Sequence, residues 1–203
     1  MAKIALIGAS GNAGSRILKE LSDRGHHVTA IARSPEKIAA LPNVVAKKGD
    51  VFDQTGLSKL LAGHDAVISS VHFTASDPVT LIEAVRASGV PLYLVVGGAG
   101  SLEIAPGQRV VDLPDFPAAY KAEATKGAEF LDLLKQETQL DWTFLSPSAE
   151  FVPGERTGKF RIGKDNLLSN EDGSRISFED YAIALVDEIE KPQHSRQRFT
   201  VGY

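Results

Sequence analysis

Short apolar segments alternate with longer amphipathic segments along most of this chain. The apolar segments are four to six residues long, rich in Val and Ile and bounded by turn residues, which is typical of buried parallel strands. Six strands are predicted, at residues 3–7, 27–32, 44–48, 66–70, 92–96 and 142–145. The longer segments predict helices at residues 13–24, 55–61, 78–88 and 118–137, with Gly25, Gly63 and Gly89 at helix ends. This alternation predicts an α/β fold, a doubly wound parallel sheet with helices on both faces.

The pattern changes after Pro147, where glycine and charged residues become frequent. The elements predicted there are strands at residues 157–162, 175–177 and 198–201, a turn at Asp172-Gly173, and a helix that Ser177 caps and that ends at Glu190. We therefore expect one domain over residues 1–203, in which residues 147–203 form a small C-terminal appendage on the substrate side. Residues 97–117 lack periodicity and follow the fifth strand, as a functional loop would.

Composition excludes several classes of function. The 22 basic and 26 acidic residues give a net charge of -4, so no basic field is available to bind nucleic acid. The chain has no cysteine, which excludes disulfides, thiol nucleophiles and iron–sulfur clusters, and its histidines have no ligand spacing, so we predict no metal site. The longest early apolar run, residues 4–9, is too short for a secretory signal or a membrane span. We expect a cytoplasmic protein without a membrane partner.

A glycine-rich turn directly follows the first predicted strand and opens the first helix. Its sequence is Gly8-Ala9-Ser10-Gly11-Asn12-Ala13-Gly14. In such a turn the first glycine adopts the required dihedral angles, the second lets main-chain amides approach a pyrophosphate, and the third lets the helix pack on the strand. The order strand, turn, helix therefore predicts dinucleotide binding by Gly8, Ser10, Gly11, Asn12, Ala13 and Gly14.

Arg33 stands at the end of the second strand, where an NAD-specific protein would have Asp or Glu. A guanidinium cannot accept a hydrogen bond from a ribose hydroxyl, but it can bind a 2′-phosphate, and Ser34 and Lys37 would extend that anion site. The pattern favours NADP(H), with NAD as the alternative. A solvated arginine at a strand end is the structural alternative for Arg33.

The ends of the third and fourth strands supply further candidate cofactor contacts. Gly49-Asp50-Val51 follows the third strand, where Asp50 would accept a hydrogen bond from the adenine amino group or would cap a turn. Ser70 and Val71 end the fourth strand at the same sheet edge, beside the predicted nicotinamide riboside. Cofactor-binding residues are thus predicted at Asp50, Val51, Ser70 and Val71.

The glycine spacing, Gly-x-x-Gly-x-x-Gly, resembles that of extended and atypical short-chain dehydrogenase/reductases. Enzymes of that superfamily pair a Ser or Thr after the fifth strand with Tyr-x-x-x-Lys on the next helix. Here the fifth strand is followed by Gly97-Gly98-Ala99-Gly100-Ser101, and Tyr120 has Ala124 at the lysine position. We place Gly97 at the cofactor and take Tyr120 and Ser101 as candidate catalytic residues, although Tyr120 without its lysine fits equally well as an aromatic at a loop mouth.

Five further segments resemble the atypical branch that includes biliverdin-IXβ/flavin reductase and bacterial NADH-flavin reductases. They are Gly49-Asp50-Val51, Asp65-Ala66-Val67-Ile68, Leu145-Ser146-Pro147, Thr157-Gly158 and Asp180-Tyr181-Ala182. The resemblance implies cofactor contacts from Pro147 and Ser148. It also implies hydride transfer to FMN, another flavin or a quinone, a reaction that needs little acid–base assistance. Candidate side chains for an apolar wall against such a planar acceptor are Phe73, Phe116, Tyr120 and Phe151. With aromatic residues at 7% of the chain, the alternative for most of them is packing in the core.

Two other functions stay open from the sequence. An NADP(H) sensor similar to the NmrA-like regulators would bind the nucleotide and a protein partner without turnover, and the missing lysine permits it. Epimerase or dehydratase chemistry is disfavoured, because those enzymes resemble the extended group and need a larger C-terminal domain than the 56 residues after Pro147. The sequence predicts either a monomer or a homodimer.

Overall fold

The computed structural model describes residues 1–203, in which strands and helices alternate as the sequence pattern predicts. The strands are β1 (Lys3–Ile7), β2 (His27–Ala32), β3 (Val44–Lys48), β4 (Ala66–Ser69), β5 (Leu92–Val96), β6 (Glu103–Ala105), β7 (Gln108–Arg109), β8 (Asp141–Pro147), β9 (Glu150–Val152), β10 (Arg161–Gly163), β11 (Arg175–Ser177) and β12 (Gln197–Gly202). The helices are α1 (Asn12–Asp23), α2 (Gln54–Leu61), α3 (Pro78–Ser88), α4 (Ala118–Leu134) and α5 (Phe178–Glu190). The doubly wound α/β fold is confirmed.

The main sheet has the strand order β10-β12-β8-β5-β4-β1-β2-β3. All neighbours are parallel except β10 and β12, so the sheet contains seven parallel strands rather than the six predicted. The seventh is β12, which pairs with β8. The sequence predicts a strand at residues 198–201 but assigns it to the C-terminal appendage and not to the main sheet. Because β1 lies between β4 and β2, the chain reverses direction across the sheet at β1, and ligands of such folds bind at that point.

Two apolar cores lie on opposite faces of the sheet. One contains side chains of α1 and α5, such as Ile17, Leu21 and Tyr181, and the other contains side chains of α2, α3 and α4, such as Leu57 and Phe130. Burial of each such side chain stabilises the fold by about 1.5–3 kcal/mol. The helices hold the sheet rigid from both sides and leave its carboxyl edge, where the strand-to-helix loops lie, free to form a site.

Several element boundaries differ from the predictions, and hydrogen bonds or strand pairing explain three of the differences. Helix α4 ends at Leu134 rather than residue 137, because the amides of Gln136 and Glu137 bond three positions back and tighten the last turn. The strand predicted at residues 157–162 is reduced to β10, because Thr157 and Gly158 donate to the Asp180 carboxylate instead of to a strand. Strand β8 continues to Pro147, since its last residues pair with β12.

Residues 97–117 contain a small hairpin of β6 and β7 within the predicted loop. The amide of Glu103 donates to the carbonyl of Asp165, and the amide of Leu167 donates to the carbonyl of Glu103. The segment after β5 is therefore bound to the segment after β10. None of the five helices has the length and apolar character of a membrane span.

Candidate functional site

The glycine-rich turn lies at the point where the chain reverses across the sheet. Gly8 has a φ of +82°, and a Cβ built on it would lie 2.1 Å from the carbonyl oxygen of Ser70. A Cβ on Gly14 would lie 2.1 Å from the carbonyl oxygen of Gly8. Both glycines are therefore required sterically, and the turn brings the ends of β1 and β4 into direct contact with the start of α1.

The first turn of α1 offers main-chain donors to a ligand. The amides of Asn12, Ala13 and Gly14 donate to no acceptor in the chain, and Gly11 at the N-cap provides no side-chain cap. The first turn has no acidic residue, and Ser10, Gly11 and Asn12 are exposed. Unpaired amides and the positive end of the helix dipole favour an anion, so this surface fits the pyrophosphate of a dinucleotide.

A group of positively charged side chains lies at the ends of β2 and β3. Arg33 directly follows β2, Lys37 ends the short 3-10 turn Pro35–Lys37, and Lys48 is the register partner of Ala32. All three cations are exposed, and none forms an ion pair, while Ser34 between them is half-buried. Sequence reasoning missed Lys48, whose position depends on the register between β2 and β3.

Asp50 lies beside the end of β2, because the amide of Gly49 donates to the carbonyl of Ala32 at 3.1 Å. One Asp50 carboxylate oxygen accepts from the amide of Phe52 at 3.0 Å, which closes a turn, and the other oxygen has no partner in the chain. Val51 is half-buried and packs against the core under α2 and α3. Asp50 thus caps a turn and also presents a free acceptor at the sheet edge.

The ends of β4, β5 and β8 continue this edge beyond the glycine-rich turn. The amide of Ser70 donates to Ile7, and Val71 borders Gly8. The amide of Gly97 donates to the carbonyl of Leu145, and a Cβ on Gly97 would lie 2.3 Å from the Phe144 ring. The strand ends are therefore closely packed around the positions predicted to contact the nicotinamide.

Pro147 and Ser148 lie at the end of β8, beside Gly97. The Ser148 hydroxyl is buried and donates to the carbonyl of Val201 at 3.1 Å. That hydroxyl therefore serves to join β8 to β12. A cofactor contact from Ser148 would come from its main chain.

The Tyr and Lys pair of short-chain reductases is incomplete in this chain. A close contact between α4 and the loop after β5 occupies the lysine position. Tyr120, in the first turn of α4, is 67% exposed, and its hydroxyl has no hydrogen-bond partner. At the lysine position, Ala124 packs on Gly100 so closely that a Cβ on Gly100 would lie 2.8 Å from the Ala124 Cβ. Lys121 donates to the carbonyl of Val111 instead, and Lys126 pairs with Glu129. Neither lysine therefore lies at the position that the lysine of Tyr-x-x-x-Lys would take.

Ser101 is buried beneath the loop after β5, where its hydroxyl accepts from the guanidinium of Arg198 at 3.2 Å. The structure thus separates the two candidate catalytic residues: Tyr120 is exposed to solvent, and Ser101 is bound to an arginine. Sequence reasoning missed Arg198. Its signal in the sequence was a charged residue at the start of a predicted strand that also carries Phe199 and Val201.

Glu123, on α4, positions the segment after β4. Its carboxylate accepts from the amides of Phe73 at 2.7 Å and Thr74 at 2.9 Å, and also from the Thr74 hydroxyl. Partial burial opposes ionisation, but these hydrogen bonds outweigh it and hold the pKa of Glu123 below its ordinary value. His72, beside it, is largely exposed. No local sequence signal indicates this contact, which joins positions about fifty residues apart.

Two of the four aromatic residues considered for the acceptor wall pack against core residues, which was the alternative for them. Phe73 is buried between Phe130 and Phe144, with ring centroids 5.6 and 6.2 Å away. Phe151 packs on Phe178 and Tyr181 at 4.5 and 4.6 Å. Phe73 is buried, whereas Phe151 is half-buried and packs on the core. Tyr120 is exposed, and Phe116 is half-buried, with Lys121 5.6 Å from its ring centroid.

The fold and the glycine cradle together define a Rossmann-type dinucleotide-binding protein. The chain belongs to the NAD(P)H-binding family, whose sequence model matches residues 8–192. Among its curated relatives is the uncharacterized protein YwnB of Bacillus subtilis, 43% identical over 210 residues that cover 98% of this chain and 97% of that one. The predicted NAD(P)H-binding family is confirmed.

Two solved structures show the same fold over nearly the whole chain. A protein from Bacteroides thetaiotaomicron, named a "putative epimerase", is 43% identical with a TM-score of 0.94, covering 99% of this chain and 96% of that one. A "putative NADH-flavin reductase" from Streptococcus pneumoniae is 40% identical with a TM-score of 0.85, covering 100% and 99%. The chain is thus an NAD(P)H-binding protein of an oxidoreductase-like family.

Proposed function

We propose that the protein is an NADPH-preferring reductase that passes hydride directly to a flavin, a quinone or a similar planar acceptor. The observation that carries the proposal is the contact between Ala124 and Gly100, which occupies the place of the lysine that a carbonyl reductase of this fold needs beside its tyrosine. Hydride transfer to a flavin needs aligned rings and excluded water more than a proton relay. The name of the relative from Streptococcus pneumoniae agrees with that acceptor class.

Nucleotide preference follows from the charges at the ends of β2 and β3. Arg33, Lys37 and Lys48 have no acidic partner, and no carboxylate takes the position that would accept from a ribose 2′-hydroxyl. A 2′-phosphate would supply the missing anion and two or three charge-assisted hydrogen bonds. We therefore assign the 2′-phosphate of NADPH to Arg33, with Lys37, Lys48 and Ser34 around it.

Each part of the chain has a separate task in this reaction. The amides of Asn12, Ala13 and Gly14 bind the pyrophosphate, and the free oxygen of Asp50 accepts from the adenine amino group. Bound NADPH supplies the hydride from its nicotinamide ring. The main chain at Gly97 and Pro147 orients that ring, while Phe116 and Tyr120 provide the accessible aromatic surface for the acceptor.

The test is loss of absorbance at 340 nm when the protein is mixed with NADPH or NADH and with FMN, riboflavin or a quinone in turn. We expect rapid oxidation of NADPH with one of these acceptors and slower oxidation of NADH. Tight nucleotide binding without oxidation by any acceptor would contradict the reductase proposal and assign the protein to the class of nucleotide sensors.

Arg33→Asp tests the nucleotide preference. We expect kcat/KM with NADPH to fall about 100-fold, since a charge-assisted pair is lost and a repulsive charge is added, while NADH changes less than about threefold. Lys59→Asp, on the exposed side of α2, is the matched control and should change neither value. An equal loss with both nucleotides would overturn the assignment of Arg33.

A further inference from the structure

Arg198 is a cation buried in the main sheet, with only 3% of its side chain exposed. On β12, Phe199 and Val201 point into the core formed with α1 and α5. Because side chains alternate along a strand, Arg198 and Thr200 point to the opposite face. On that face the guanidinium of Arg198 contacts the loop after β5.

The guanidinium of Arg198 joins three segments of the chain. It donates to the hydroxyl of Ser101 at 3.2 Å and to the carbonyl of Ser101 at 3.4 Å, and it reaches the hydroxyl of Ser146 at 3.5 Å. Its Nε and Nη2 atoms both donate to one oxygen of Asp165, at 2.9 and 2.6 Å. Burial of an arginine is costly unless its donors are satisfied, and all of these contacts satisfy them.

Arg198 provides one of three anchors of the loop after β5. Gly97 is fixed on β8, Gly100 is fixed on α4 through Ala124, and Ser101 is fixed on Arg198. Between these anchors, Gly98 and Ala99 are half-exposed, and their amides donate to no group of the chain. The anchors therefore set the position of the two residues that this loop presents at the carboxyl edge of the sheet.

We propose that Arg198 is a positioning residue for the reductase reaction. It holds the segment from Gly97 to Ser101 where the acceptor meets the nicotinamide, and Ser101 is its structural partner rather than a proton donor. This inference rests on the proposed function for its effect on turnover, but its effect on the loop does not depend on turnover. A small displacement of such a loop lowers the rate strongly, because the reacting rings must be aligned.

Three variants separate positioning from direct catalysis. Arg198→Lys keeps the charge but cannot form the forked contacts. Ser101→Ala removes the hydroxyl and leaves the Ser101 carbonyl and Asp165 contacts in place. Arg161→Lys is the matched control, because Arg161 lies on the neighbouring β10, donates to two carbonyls and does not touch this loop.

We expect Arg198→Lys to lower kcat with FMN at least about tenfold while the KM for NADPH changes less than about threefold. Ser101→Ala should retain about a third of kcat or more, and Arg161→Lys should match the wild type. Hydrogen exchange of the protein alone should increase in the peptide covering residues 97–102 in Arg198→Lys and not in Arg161→Lys. If Ser101→Ala loses more kcat than Arg198→Lys, Ser101 is the proton donor and the proposal is wrong.

Two further measurements test the proposal if Arg198→Lys does not fold or if the wild type shows no turnover. If Arg198→Lys does not fold, Asp165→Asn is the second variant. It weakens the hydrogen bonds that the Arg198 guanidinium makes to the exposed Asp165, and it should increase hydrogen exchange in residues 97–102. If none of the tested acceptors supports NADPH oxidation by the wild type, the reductase proposal fails. Hydrogen exchange and the fluorescence of bound NADPH then decide the role of Arg198. Unchanged exchange and unchanged fluorescence in Arg198→Lys would overturn it.

Discussion

The two halves of the carboxyl edge of the sheet are held together in different ways. Around β1 and β4 the contacts are between main-chain atoms, at distances that only glycine permits, as at Gly8 and Gly14. Around β8 and β12 the contacts are side-chain hydrogen bonds, made by Arg198 and by the fully buried Asp180. We call the half around β1 and β4 the nucleotide half, and the half around β8 and β12, where we propose that the acceptor binds, the acceptor half. Steric fit defines the first and buried polar groups define the second.

This difference affects what each half can tolerate. A main-chain cradle binds any dinucleotide of the right shape, and its requirements are confined to a few glycines. A region joined by polar side chains can change its shape when one partner changes, because each buried group needs its acceptor or donor. We expect the nucleotide half to bind the dinucleotide in the same way whatever the acceptor is. We expect the acceptor half to determine which planar substrate is used.

The largest effect is expected from Gly8→Ala. A methyl group would lie 2.1 Å from the Ser70 carbonyl oxygen at a φ of +82°, so the turn must open and the ends of β1 and β4 must separate. We expect destabilisation of about 3 kcal/mol or more and loss of NADPH binding. Urea unfolding and a fluorescence titration measure the two effects.

Gly89→Ala is the matched control for Gly8→Ala. Gly89 has a φ of +71° at the end of α3, and nothing lies within 4 Å of a Cβ placed on it. We expect a loss of about 1 kcal/mol from backbone strain alone, with NADPH binding unchanged. Equal losses for the two variants would show that the contact with Ser70 has no part in the stability of the turn.

Asp180→Ala probes the acceptor half. The Asp180 carboxylate accepts from the amide of Gly158 at 2.8 Å, the hydroxyl of Thr157 at 2.6 Å and the hydroxyl of Tyr203 at 2.9 Å. Removal of this buried acceptor breaks three hydrogen bonds to a charged group, so we expect a loss of about 2–3 kcal/mol in the free energy of unfolding. NADPH affinity should change little, and the exposed Asp172→Ala should have no effect.

Acid should weaken the contact between α1 and the segment after β9. Burial opposes ionisation of Glu20, but hydrogen bonds from Arg156 and Arg24 outweigh it and hold the pKa of Glu20 below its ordinary value of 4.5. A carboxylate with a lowered pKa stabilises the fold above that ordinary value, and the contribution is lost as the pH falls through the folded-state pKa. Stability should therefore decline below pH 4.5.

Glu20→Gln should flatten this acid decline and cost about 1–2 kcal/mol at neutral pH. Thermal unfolding between pH 3 and pH 7 measures both effects. An equally steep decline in the variant would assign the acid sensitivity to other carboxylates, such as Glu179, whose pKa is also lowered despite its partial burial.

The smallest effect is expected from Tyr120→Phe. Its hydroxyl is exposed and has no partner, so we expect turnover with flavin to change less than about twofold. The measurement is kcat at 340 nm with saturating NADPH. A loss of about tenfold or more would make Tyr120 a proton donor and would favour carbonyl reduction over direct transfer to a flavin.

The nucleotide half could be predicted from the sequence because its signals are local. The strands at residues 3–7, 27–32, 44–48 and 92–96 have the predicted bounds, and the order of strand, glycine turn and helix placed Gly8 and Gly14 correctly. Helix ends at Gly25, Gly63 and Gly89 also follow from local rules, and all three adopt positive φ.

The acceptor half could not be predicted in the same way, because its contacts join distant positions. Arg198 and Ser101 are 97 positions apart, and Phe151 and Phe178 meet only when β9 pairs with β11. Aromatic residues in a loop have the same appearance in a sequence whether they line a cleft or complete a core. The pairings of β12 with β8 and of β9 with β11 decide these contacts, and no periodicity reveals either pairing.

A crystal structure of the complex with NADPH tests the account most directly. The account predicts the pyrophosphate within hydrogen-bond distance of the amides of Asn12 and Ala13, and the 2′-phosphate within about 3.5 Å of the Arg33 guanidinium. The nicotinamide should lie beside Gly97 and Pro147. A nucleotide bound away from the glycine turn, or one whose 2′-phosphate points away from Arg33 into solvent, would contradict it.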